Sequence, residues 1–223
     1  MNFLEYPDRE MLAIDLANQL AGALKAHLMT HETASFAVCG GTSPGLIFDA
    51  LCAADLEWER VHVLPTDERW VAPDHPRSNA RLIRERLLTA RAGAASFLPL
   101  WEPEESPEAA LPAIAARVSP ELPLSVMLLG MGEDMHTASL FPGAAGLREA
   151  LADDAPPVAV LRPETVPEAR ISLTAPVLDG ALSKHMVLYG EAKRAALERA
   201  LSLPPEEAPV QAVLKNTSVH WSV

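Results

Sequence analysis

Short apolar runs alternate with amphipathic segments along the whole chain, and this alternation limits the fold more than any other feature. The runs Ser35–Cys39, Val61–Leu64, Phe97–Leu100, Ser125–Leu129, Val158–Leu161 and His185–Tyr189 have the length and apolar content of strands. Between them lie helical patterns. From about Asp8, leucines 12, 16, 20, 24 and 28 recur at four-residue spacing, a stripe that faces a core. Further helices are expected from Pro44 to about Ala54, over Asn79–Leu88 behind a Ser78 cap, from Ser106-Pro107-Glu108, and over Glu191–Leu201. Arg170–Thr174 alternates as a strand with one exposed face would, and Val219–Val223 reads as a last edge strand. Strands joined through helices cross over and run parallel. The expected architecture is therefore α/β, a mostly parallel open sheet with helices on both faces and antiparallel edge strands. The proline-rich stretches EPEESPEAALP and LPPEEAP read as surface connections, so residues 1–223 are expected to form a single domain.

The chain has 223 residues, 49% of them hydrophobic and 22% charged, enough for one domain with a well-buried core. Eighteen Lys and Arg against thirty Asp and Glu give a net charge of -12, which argues against nucleic acid and anionic membranes as partners. A small anion is not excluded, because a local cluster of donors overrules the net field. Cys39 and Cys52 lie in apolar segments without metal-ligand spacing and read as small buried hydrophobes in a reducing compartment. The start MNFLEYPDRE is too acidic for a signal peptide, and no apolar run reaches the length of a membrane span. A soluble, cytoplasmic protein is expected.

Four polar clusters follow different strands at the same end: Gly40–Pro44, Asp67-Glu68-Arg69, Gly130–His136 and Gly190–Lys193. If those strands are parallel, all four loops open on one rim of the sheet, where such sheets bind ligands. Gly40, Gly41, Thr42 and Ser43 combine glycines that admit close backbone approach with hydroxyls at a helix start, which suits an anion. A capped helix without a ligand explains the same residues. Arg69 and Lys193 favour the anion, since a phosphate takes a guanidinium or an ammonium beside such a loop. In the third cluster Asp134 and His136 stand two residues apart, and neutral imidazole suits proton transfer near pH 7. His136 could equally satisfy a loop carbonyl.

Other patterns carry less. Gly41–Gly45 formally matches the G-x-S-x-G turn of serine hydrolases, but Pro44 follows the serine and has no N–H for an oxyanion hole. Gly130-Met-Gly132-Glu-Asp-Met135 lacks the third glycine of a dinucleotide fingerprint. His27 and His31 read as cations at a helix end rather than metal ligands. Neither a metal nor a nicotinamide cofactor is expected.

The segments CGGTSP, TDERWV, RSNARLIRERLL, LLGMGEDMHTASLFPG, RISLTAPVL and YGEAKRAAL together resemble the 6-phosphogluconolactonases, within the glucosamine-6-phosphate isomerase/deaminase-like group, from about residue 35 to 200. The resemblance implies hydrolysis of 6-phospho-D-glucono-1,5-lactone in the pentose phosphate pathway without a cofactor; the domain is expected to be Rossmann-like, and a monomer or weak homodimer is expected. Carried onto this chain, it implies that His136 is a general base and Asp134 orients it. Gly41, Thr42, Arg69 and Lys193 would hold the 6-phosphate, Asp67 and Asn79 would shape the pocket, and Arg170 is a further candidate. Met135 departs from the family, which has glycine between the acid and the histidine; a left-handed backbone there would cost methionine ~1–2 kcal/mol. The loop is expected to tolerate it with His136 still aimed at the pocket. An amino-sugar-phosphate deaminase is the nearest rival, but Ser139-Leu140-Phe141 supplies no carboxylate before Pro142. A non-catalytic sugar-phosphate-binding module is the other.

Overall fold

The computed structural model describes all residues, Met1–Val223. The chain opens with β1 (Asn2–Glu5) and α1 (Arg9–Leu28), then passes through β2 (Ala34–Val38), α2 (Gly45–Leu51), β3 (Val61–Pro65) and β4 (Asp67–Arg69). Next come α3 (Asn79–Arg86), β5 (Ser96–Phe97), α4 (Pro107–Val118), β6 (Val126–Gly130) and α5 (Leu147–Leu151). The last third holds β7 (Val158–Leu161), β8 (Arg170–Leu173), α6 (Ala175–Asp179), β9 (Ser183–Tyr189), α7 (Glu191–Ala200) and β10 (Thr217–Ser222).

Seven strands form one sheet in the order β1-β10-β9-β6-β2-β3-β5, every pair parallel. Side chains alternate across it with the strand period of two. Ala37, Met127, Leu129, Met186 and Leu188 enter one apolar core, while Phe36, Val38, Val126, Leu128 and Val187 enter another. Helices cover both faces. The five leucines of the α1 stripe are all buried in the second core. A strict four-residue spacing drifts around a helix of 3.6 residues per turn, and the buried Ala13 and Ala17 widen the stripe beside it. No helix is long and apolar enough to cross a membrane.

From β2 the chain moves outward to β3 and β5, then returns across the sheet to β6, on the other side of β2, and on to β9 and β10. Neighbours β2 and β6 therefore lead into connections that diverge, which opens a crevice outside their carboxyl ends. The loops Gly40–Pro44 and Gly130–His136 leave those two strands.

Several sequence expectations need correction. The antiparallel strands do not edge the main sheet but form a separate one, β4-β8-β7. Thr66 joins the two: its N–H donates to Val38 O at 2.9 Å, and its carbonyl accepts from Leu173 N at 2.9 Å. The polar stretch after Asp67 accordingly begins as strand β4. Strand β8 is buried at every residue, without an exposed face, because the small sheet packs on the core beside α5 and α6. The final strand is not an edge: β10 lies between β9 and β1, and β1, unanticipated in the sequence, is the edge. Strand β5 stops at Phe97; Leu98 N still donates to Val63 O at 2.8 Å, but Pro99 has no N–H to continue the ladder. Cys39 is buried as expected, whereas Cys52 is half-buried with its thiol donating to Asp49 O. His27 and His31 stack with ring centroids 3.9 Å apart, and burial together with the neighbouring ring lowers the His27 pKa. A hydrogen bond between His31 Nδ1 and His27 O at 3.2 Å joins them at the helix end.

Candidate active site

The four loops meet around a cleft of about 390 Å³ at the switch point between β2 and β6. Its floor is the Gly40–Ser43 loop. A Cβ on Gly40 would lie 1.9 Å from Asn79 Oδ1, and Gly41 has φ +80, so close approach fixes the first glycine and backbone conformation the second. Thr42 and Ser43 line the cleft beside them, and Lys193, at the start of α7, donates from Nζ to Ser43 Oγ at 3.4 Å. Half-burial pulls the Lys193 ammonium below its usual pKa, a penalty that a bound anion would offset. Cys39 closes the floor; burial, with the charge of Asp67 adding to it, pushes its thiol up to about 12, so it stays neutral.

Opposite this floor, the loop after β6 presents Asp134 and His136. Asp134 Oδ1 accepts from His136 N at 3.2 Å and lies 2.5 Å from His136 Nδ1. The imidazole stacks on Phe141, with ring centroids 4.0 Å apart. Half-burial alone would raise the Asp134 pKa, but the hydrogen bonds and charge of His136 outweigh it and hold the carboxyl below its usual range. A carboxylate on Nδ1 fixes that nitrogen as the donor, which leaves Nε2 as the basic one. Met135, between the two, has φ +67, the left-handed backbone that favours glycine. Its side chain packs against the apolar core, and its carbonyl accepts from Val210 N at 3.1 Å, so surrounding contacts hold the strained residue.

Gly132 is what lets the pair close. A Cβ there would stand 2.3 Å from both Nδ1 and Cε1 of His136 and 2.4 Å from Asp134 Oδ1. Gly132→Ala is expected to push the imidazole off its carboxylate; for a reaction that uses His136 as a base, kcat should fall by at least about tenfold, part of the ~10²–10⁴-fold a positioned base is worth, with little change in melting temperature. Steady-state rates beside a melting curve check this; an unchanged kcat would show that the pair need not touch.

The third wall comes from the small sheet. Arg69 on β4 stands directly opposite Arg170 on β8, and Asp67 opposite Ser172. Like charges paired across strands repel. The Nε atoms of both arginines are buried without a hydrogen-bond partner, and Arg170 is only 4% exposed. Burial lowers the Arg170 pKa, against the pull of Asp67 at 3.8 Å. Its guanidinium also lies 5.7 Å over the Phe141 ring. The buried Arg170 and the half-buried Arg69, each with an Nε donor to spare, form a wall that an anion would complete.

Asn79, at the start of α3, ties this wall together: Nδ2 donates to Asp67 O at 2.7 Å, and Oδ1 accepts from Arg69 Nη1 at 2.8 Å. Asp67 in turn accepts from Ser139 Oγ at 2.5 Å. The structure thus brings Gly40, Gly41, Thr42, Ser43, Asp67, Arg69, Asn79, His136, Arg170 and Lys193 to one cleft, with Asp134 behind His136. Sequence reasoning missed Arg77, which lines the cleft from the loop after β4. It also missed Glu68. That carboxylate is 1% exposed and accepts from the N–H groups of Arg69, Asn79 and Ala80 at 2.7–2.8 Å and from Ser78 Oγ at 3.1 Å. The position of Glu68 in DER, ten residues before the Ser78 cap, was the available signal, but only the folded loop joins them.

A parallel α/β sheet with an Asp–His pair and clustered cations in one cleft at its switch point defines an enzyme for a small anionic substrate. Residues 7–221 match the family described as Glucosamine-6-phosphate isomerases/6-phosphogluconolactonase, and the chain belongs to that family. It is similar to the 6-phosphogluconolactonase of Rhizobium meliloti (strain 1021), 36% identical over 229 residues that cover 100% of this chain and 98% of the relative. That of Mesorhizobium japonicum is 41% identical over 230 residues, 99% of this chain and 95% of the relative. The crystal structure of a 6-phosphogluconolactonase from Shewanella baltica OS155 superposes with a TM-score of 0.96 at 33% identity, covering 100% of this chain and 98% of that one.

Proposed function

We propose that His136 is the general base in the reaction this enzyme catalyses, the hydrolysis of 6-phospho-D-glucono-1,5-lactone to 6-phosphogluconate in the pentose phosphate pathway. The observation that carries the reading is the meeting of base and cations in one cleft. His136, with Asp134 on its Nδ1, shares the cleft with the half-buried Arg69 and the buried Arg170 and their unpartnered Nε donors. The 6-phosphate binds among Arg69, Arg170, Lys193 and the loop Gly40–Ser43, with Asp67 and Asn79 holding the wall in place. Its lactone carbonyl then lies towards His136. Water adds to that carbonyl carbon while Nε2 takes the water's proton. When the tetrahedral intermediate collapses, the ring C–O bond breaks and the imidazolium returns the proton to the departing ring oxygen. The product acid ionises in solution. No covalent nucleophile is required, in keeping with Pro44 after Ser43. The enzyme works in the cytoplasm as a monomer or weak homodimer.

The test is the rate of hydrolysis of fresh lactone above its spontaneous background, with Arg170→Met in parallel. The wild type should accelerate the reaction, and the variant should raise KM by roughly tenfold or more, the effect of removing a buried charged hydrogen-bond donor. Ammonia release from glucosamine 6-phosphate, with no lactone turnover, would overturn the reading.

A further inference from the structure

Of the four cations on the cleft, only Arg77 is already held in a close ion pair. Its Nη1 lies 3.0 Å from Glu168 Oε1. Arg170 has Asp67 only at 3.8 Å, Lys193 has a hydroxyl, and Arg69 has the neutral Asn79 side chain and the Arg77 carbonyl. Glu168 sits two residues before Arg170, just outside the start of β8. The neighbouring Ala169 carbonyl accepts from Trp70 N at 2.8 Å, which seats this turn against the loop that carries Arg77. The Arg77–Glu168 pair therefore links the two loops above the small sheet.

The pair is poorly satisfied on one side. Glu168 Oε2 is buried with no hydrogen-bond partner. A carboxylate oxygen taken from water and given no donor costs free energy, and that cost is recovered if the side chain returns to solvent. A phosphate group carries up to two charges and three strong acceptor oxygens, so it competes for Arg77 more strongly than one carboxylate with half its acceptors idle. The negative Glu168 next to such a group would also be repelled.

We propose that Glu168 is an internal counter-ion that occupies Arg77 while the cleft is empty and releases it to the substrate's phosphate. This rests on the phosphate-site reading given above. The exchange makes Glu168 a determinant of selectivity. A dianion displaces it, whereas a sugar lactone or sugar acid without phosphate lacks the charge to do so and meets a cleft whose outer cation is already neutralised. The same exchange speeds product release, because Glu168 stands ready to reclaim Arg77. Glu168 acts through Arg77 and is a positioning residue, not one that touches the reacting atoms.

The experiment is calorimetric binding of 6-phosphogluconate, inorganic phosphate and gluconate to the wild type, Glu168→Gln, Arg77→Gln and the double variant. Glutamine keeps the shape and removes the charge. Glu168→Gln is expected to lower the Kd for 6-phosphogluconate by roughly 3- to 10-fold, the range spanned by partly exposed and desolvated charge pairs. KM should fall with it while kcat does not rise, a split that a merely structural role would not produce. In the Arg77→Gln background the gain should vanish. Glu168→Asp, which keeps the charge but shortens the reach, should give a smaller gain and guards against a glutamine variant that folds poorly. Unchanged or weaker binding in Glu168→Gln, or an equal gain without Arg77, would overturn the proposal, as would a wild type that binds neither phosphate nor 6-phosphogluconate. Lactone turnover is followed separately. A wild type that binds product without hydrolysing lactone would remove the catalytic reading, while the binding comparison would still decide the role of Glu168.

Discussion

His136→Ala is expected to lower kcat/KM for lactone hydrolysis by about 10²–10⁴-fold, the usual worth of a positioned general base. The arginines and the Gly40–Ser43 loop are untouched by the change, so binding of 6-phosphogluconate should persist. The fold should persist as well. The imidazole is part-exposed and contributes one stacking contact with the buried Phe141 and one hydrogen-bonded pair with Asp134. Asp134→Asn should give an intermediate loss. An amide can donate to Nδ1 and so favours the wrong tautomer, but it also accepts, so the ring retains a route to the right one. Initial rates of fresh lactone, corrected for spontaneous opening, check both variants. If His136→Ala retains a rate within about threefold of the wild type, well short of a general base's contribution, the base lies elsewhere in the cleft.

The second large effect falls on stability. Glu68→Ala is expected to destabilise the protein by about 3–5 kcal/mol, because it strips a buried carboxylate from four donors at once. Three of them are main-chain N–H groups, two of which open α3, and the fourth is the Ser78 hydroxyl that itself accepts from Arg81 N at 3.2 Å. Burial raises the Glu68 pKa, and the donated hydrogen bonds oppose that rise. At roughly 2–4 °C per kcal/mol for a chain of this size, the melting temperature should fall by about 10 °C. The loss should also reach the site, since Glu68 fixes Arg69 from one side and Asn79 from the other. A melting temperature within about 2 °C of the wild type, less than 1 kcal/mol on that scale, would mean that water replaces the carboxylate at no cost.

How much of this was legible in the sequence depends on whether a contact is local. The strands β2, β3, β6 and β9 and the α1 stripe could be read because apolar periodicity records burial directly. The convergence of the four loops followed from parallel strands alone. The Asp134–His136 contact is two residues long, and the left-handed backbone at Met135 was foreseeable from the glycine it replaces. What stayed hidden is long-range. Nothing local in Asp67-Glu68-Arg69 states that it pairs antiparallel with Arg170–Ser172, about a hundred residues away, so the short β4 reads as polar loop. The burial of β8 was misread for the same reason: a strand carrying Arg170 looks half-exposed until the opposing arginine and the anion-ready cleft explain it. Glu68 carries no periodic signal, because three of its four partners are backbone groups. The first residues lacked the length to declare a strand, and β1 is visible only through its pairing with β10.

That last pairing has a consequence for how the protein folds. Asn2 to Glu5 align with Ser218 to Trp221, and Tyr6 is joined through its hydroxyl to Asp15 on one side and His220 on the other. Strand β1 is thus left waiting for a partner more than two hundred residues further along the chain before it can dock, as the 214-residue separation of Tyr6 and His220 shows. Until then the outer border of the sheet is open, with its main-chain donors and acceptors uncovered. Contacts of such separation close late and slowly. A refolding chain is therefore exposed to wrong partners along that border until β1 and β10 pair.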